Sequence, residues 1–120
     1  MKESYEHSEV CVKMKRIIQS YKKTDKSNER FDEEDWKQLI AETDIRWNDI
    51  TIRLAAKYPL SQDEIYLCYL HLTDIPTSHF RYLMECSRDA IYKKGKRILE
   101  QKMKCTDKSI SLREFLEQFL

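Results

Sequence analysis

The chain has 120 residues, room for one modest core but not for two comfortable domains. Charged residues make up 36% of it, and one Gly and two Pro are too few for a barrel or sandwich with many tight turns. No run of about 18 apolar residues offers a membrane span, and the charges mixed through Met1 to Ser20 leave no apolar stretch for a signal peptide. The expectation is an all-α protein of the cytoplasm.

In chain order, Val10, Met14, Ile17, Ile18 and Tyr21 fall on one face of a segment from Ser4 to Lys23, the spacing of an amphipathic helix. A polar stretch from Lys23 to Glu29 follows and reads as a linker. This divides the chain into a connector or dimerisation helix with its linker, 1–30, and a domain over 31–120. The Val10–Tyr21 stripe either packs back on the domain, pairs with a second copy as a homodimer, or continues an upstream element.

From Asp32 to Tyr58, Trp36, Leu39, Ile40, Thr43, Trp47, Ile50, Leu54 and Ala55 recur at helical spacing. The spacing predicts core roles for both tryptophans, a break near Thr43-Asp44 with Asp44 capping a second helix, and an end at Tyr58-Pro59. Ser61-Gln62-Asp63-Glu64 is a capping box opening a buried helix with Ile65, Leu67, Cys68, Leu70 and Leu72. After Thr73 to Ile75, Pro76 suits the start of a short helix whose inner face is Phe80, Leu83 and Met84. Ser87 then caps a third helix reaching about Met103. A second capping box, Ser111 to Glu114, opens a C-terminal helix with Leu112, Phe115, Leu116, Phe119 and Leu120.

Charge is unevenly spread. Arg88 to Lys104 holds seven Lys/Arg against Asp89 and Glu100, a net +5, so the other 103 residues carry −4. Glu29 to Glu42 is the acidic counterpart, with six carboxylates against Arg30 and Lys37. A basic segment of this kind is the footprint a phosphate backbone would need.

Together the segments between about Ser61 and Met103 read as helix, turn, short helix, tight turn, basic helix. That is the helix-turn-helix plan, whose last helix enters the major groove of double-stranded DNA. In that helix Ala90, Ile91, Ile98 and Leu99 form the inner stripe. Arg88, Asp89, Tyr92, Lys93, Lys96 and Arg97 form the outer arc. Arg88, Tyr92 and Lys93 are placed to read bases, and Lys94, Lys96, Arg97 and Lys102 to reach phosphates. Gly95, costly inside a helix, points to a close approach, either of the Trp36–Trp47 region or of DNA.

The stretch from Phe31 onward resembles the C-terminal helix-turn-helix domain of transcriptional regulators common in the Bacteroidetes, similar to those of the LuxR family and sigma-factor region 4. The resemblance lies in Asp35-Trp36, Trp47-Asn48-Asp49-Ile50-Thr51-x-Arg53-Leu54, Tyr58-Pro59-Leu60-Ser61, Leu67-Cys68-Tyr69-Leu70, Ser87-x-x-Ala90-Ile91 and Lys96-Arg97-Ile98-Leu99. It implies a DNA-binding output domain, usually downstream of tetratricopeptide or other sensor segments, with the Val10–Tyr21 helix as the end of the connector. Two positions depart from the pattern. Phe80-Arg81 stands where the family has Ile-Ala, and Gly95 stands where a basic residue is common. The alternative is therefore a diverged, non-DNA-binding helix-turn-helix acting in protein pairing.

Catalysis has no support in the sequence. His7, His71 and His79 lack spaced carboxylate or cysteine partners, and no Gly-rich phosphate loop occurs. Cys11, Cys68, Cys86 and Cys105 form no CxxC pair and read as reduced thiols, Cys68 and Cys86 within the core. Neither a metal nor a cofactor is expected.

Overall fold

The computed structural model describes residues 8–47, 49–105 and 110–118. Among them are seven α-helices and no strand: α1 (Glu9–Thr24), α2 (Glu33–Arg46), α3 (Ile50–Lys57), α4 (Gln62–His71), α5 (Phe80–Met84), α6 (Arg88–Arg97) and α7 (Leu112–Gln118). A 3-10 turn at Thr77–His79 leads into α5, and a π turn at Ile98–Lys102 extends α6. No described helix is long and apolar enough to cross a membrane.

Local chemistry sets most of the helix starts. Ser8 accepts the Cys11 amide at 3.1 Å and opens α1. Asp32 and Asp35 exchange bonds of 3.0 and 2.9 Å at the head of α2. Ser61 and Glu64 do the same at α4, and Ser111 and Glu114 at α7. Each box satisfies amides that have no partner within their own helix.

The Val10–Tyr21 stripe is spent inside the protein. Val10, Met14, Ile17 and Ile18 are buried where α1 packs on α5 and α2, and Tyr21 stacks on Tyr82 at 4.9 Å between ring centres. Polar ties reinforce the docking: Lys13 reaches Asp35 at 2.6 Å, and Arg16 grips Glu29 in a fork of 2.5 and 2.8 Å. The Asp35 carboxylate raises the Lys13 pKa, and the Arg16 guanidinium lowers that of Glu29. Of the three placements open to this helix, the chain adopts packing back on its own domain.

The break between α2 and α3 falls later than expected. Asp44 stays within α2, where it accepts the hydroxyl of buried Tyr69 at 3.0 Å, so it is not a cap. The chain turns instead at Asp49, in the left-handed region at φ 54°, with no side-chain cap bond. Trp36 fulfils its core role, stacked on Tyr66 at 4.2 Å with Phe31 edge-on. Trp47 is only half-buried, and Ala55 faces solvent. Phe119 and Leu120 lie outside the described residues.

Candidate nucleic-acid interface

Three consecutive helices build the basic surface. The capping box fixes the entry to α4, which buries Leu67, Cys68, Tyr69 and Leu70. Burial pushes the Cys68 thiol up to about 12, so it remains protonated and acts as a small apolar side chain. After α4 the chain turns through buried Thr73, whose hydroxyl donates to the Leu70 carbonyl at 2.6 Å and accepts the Ile75 amide at 3.2 Å.

Phe80 and Leu83 then plant α5 in the core. Arg81 points outward, its guanidinium 4.7 Å from the Tyr82 ring centre and one nitrogen 2.8 Å from the Tyr82 hydroxyl. The departure at Phe80-Arg81 thus puts bulk inward and charge outward without burying a cation. Glu85 closes the tight turn in the left-handed region at φ 53°, and Ser87 caps α6 by accepting the Ala90 amide at 3.1 Å.

On α6, Ile91 and Ile98 are buried, with Ala90 and Leu99 partly so. The opposite arc, Arg88, Asp89, Tyr92, Lys93, Lys96 and Arg97, is exposed as its spacing indicates, and Tyr92 is 67% exposed. Ion pairing sorts the seven expected contact residues. Lys93 is paired along the helix with Asp89 at 3.0 Å. Lys94 and Lys102 turn the other way: Lys94 lies 3.5 Å from Asp63, and Lys102 donates to the Pro59 carbonyl at 3.2 Å, with Glu64 at 3.9 Å. Both stem from the side of the helix that faces α4. Arg88, Lys96 and Arg97 have no anionic partner among the described residues. Spacing alone separates Lys96 and Arg97 from Lys94 and Lys102, which stand three and four residues after buried Ile91 and Ile98, but not Arg88, which stands three residues before Ile91.

Gly95 makes no close approach to the Trp36–Trp47 region, one of the two uses suggested by the sequence. A Cβ built there would meet Leu67 Cδ2 at 3.9 Å, an ordinary contact, and nothing nearer.

Beside this arc lies an open groove of about 620 Å³. Ile91, Gly95 and Leu99 form its floor along α6, with Arg88, Tyr92 and Lys96 above them. Thr77, Ser78 and the Ile110–Leu112 approach to α7 make up the facing side. His71 also borders it, edge-on to Phe80 at 5.0 Å. Burial, and after it the charge of Arg113, press the His71 imidazole down to about 4. The groove was not legible in the sequence, since no local pattern brings the start of α7 beside α6.

No group of side chains among the described residues could hold a metal ion. Comparison with known protein families, curated proteins and solved structures finds no match to this chain.

Proposed function

We propose that the chain is a sequence-specific double-stranded-DNA-binding module of a transcriptional regulator, with α4, α5 and α6 acting as a helix-turn-helix and α6 entering the major groove. The observation that carries this reading is the arc of α6, on which Arg88, Lys96 and Arg97 are exposed and free of anionic partners among the described residues. Unpaired exposed cations on one helix face are available to displace counterions from a phosphate backbone. Of the carboxylates around α6, Asp89 pairs with Lys93, and Asp63 and Glu64 lie toward Lys94 and Lys102, while Glu100 makes no ion pair with Lys96 or Arg97 among the described residues.

In this reading Arg88, Tyr92 and Lys93, near the N-terminal end of α6, face base edges. Lys96 and Arg97 grip phosphate, and Lys94 and Lys102 hold α6 on α4. The resemblance to Bacteroidetes-type regulators implies a DNA-binding output domain of this kind. A pairing module built on the Val10–Tyr21 stripe has less support, because that stripe is covered by α5 and α2.

Fluorescence anisotropy against random and genomic duplex fragments at two salt concentrations tests the proposal. Affinity should fall steeply with salt, by a log–log slope of about 0.9 for each phosphate contacted. The double variant Lys96→Glu/Arg97→Glu should lower that slope by about two units and cut affinity at least tenfold. Salt-insensitive binding, or affinity that survives the double variant, would refute the assignment.

A further inference from the structure

We propose that the groove between α6 and the approach to α7 is a binding site for a medium-chain carboxylate, a ligand with one anionic head and an unbranched apolar body. At about 620 Å³ the groove lies within the size range of small-molecule sites. Its floor is apolar, with Ile91 and Leu99 from one side and Leu112 from the other, and gives a flexible hydrocarbon chain a surface to leave water for. Gly95 also lines the groove and adds no side chain to it.

The charge of the rim selects the head. Arg88 and Lys96 border the groove and have no anionic partner among the described residues. Glu100, which also lines it, stands one helical turn beyond Lys96 and repels an anion there. Arg88 is therefore the grip, because its guanidinium fork matches a carboxylate in two parallel hydrogen bonds. Thr77 and Ser78 on the facing side add hydroxyl donors. A duplex fits the rim but not the floor, since sugar and phosphate gain nothing from Ile91, Leu99 and Leu112.

The ligand occupies Arg88 and covers Tyr92, two residues given to the base-reading arc above. On the duplex-binding reading it is therefore an antagonist of DNA. Arg97 lies outside the groove and belongs to the duplex surface alone.

Two-dimensional amide spectra of the full chain, titrated with decanoate, decanol or acetate, test the site without DNA. Decanoate should shift α6 and residues 110–112 saturably below millimolar concentration, with decanol and acetate at least about tenfold weaker. Arg88→Gln should weaken decanoate about tenfold and leave decanol unchanged, whereas Arg97→Glu should leave decanoate binding intact. Absence of saturable shifts, decanol equal to decanoate, or indifference to Arg88→Gln would overturn the site. In anisotropy, saturating decanoate should lower duplex affinity, and unchanged affinity would overturn the antagonism. If no duplex binds at all, the DNA reading fails and the spectra still decide the ligand.

Discussion

Gly95→Ala separates two reasons for a glycine in the middle of α6. A glycine inside a helix costs about 1 kcal/mol relative to alanine, through the freedom it keeps in the unfolded chain and the backbone it leaves exposed. Where a neighbour needs the space, that cost is offset and alanine is the worse residue. Here the added methyl would lie 3.9 Å from Leu67 Cδ2, ordinary van der Waals distance, and Gly95 sits within regular helix. The substitution should therefore stabilise the protein by about 1 kcal/mol, or about 4 °C in Tm for a chain of this size. Urea and thermal unfolding with circular dichroism would measure it, the urea slope staying unchanged. A loss of stability would refute the geometry, because it would mean that α4 and α6 approach more closely than the Leu67 contact indicates. Stabilisation combined with a large loss of duplex affinity would instead return Gly95 to the DNA surface.

Two further substitutions probe the turn regions around the candidate interface. The half-buried His71 ring is neutral in the folded protein near neutral pH, its pKa pressed down to about 4, whereas in the unfolded chain it protonates near 6.5. Its contribution to stability is complete above pH 6.5 and is lost as pH falls toward 4, by at most about 1.4 kcal/mol per pH unit. Unfolding measured between pH 7 and 4 should show a shallower decline in His71→Gln, and identical declines would sink the assignment. Glu85 closes the α5–α6 turn at φ 53°, a region where a non-glycine residue is strained, and its pair with Arg30 at 3.5 Å is exposed. Glu85→Gly should raise stability by about 1 kcal/mol in urea unfolding, and a loss would show that the side chain matters more than the backbone.

What the sequence disclosed was mainly local. Capping boxes at Ser61 and Ser111, the Ser87 cap and the extended Tyr58 before Pro59 are set by bonds spanning a few residues, so their patterns survive intact in the fold. The stripe on α1 was equally legible, but its destination was not. An amphipathic face specifies only that something apolar covers it, and α5 and α2 do so here. Asp44 shows the converse. Its position suited a cap, but Tyr69, 25 residues away, brings a buried hydroxyl to it and makes a tertiary bond its use.

Charge counting over the basic segment overstated the number of cations available to a ligand. A net charge is indifferent to direction, whereas a helix assigns each side chain to a side, and α4 presents Asp63 and Glu64 to the side that holds Lys94 and Lys102. Those two lysines tie α6 to α4, and among the described residues Arg88, Lys96 and Arg97 of the exposed arc have no anionic partner. The same segment thus supplies both the clamp and the candidate contact surface. On the duplex-binding proposal, removing Lys94 or Lys102 should act on affinity through the placement of α6, with little change in salt slope, whereas removing Lys96 or Arg97 should change the slope itself.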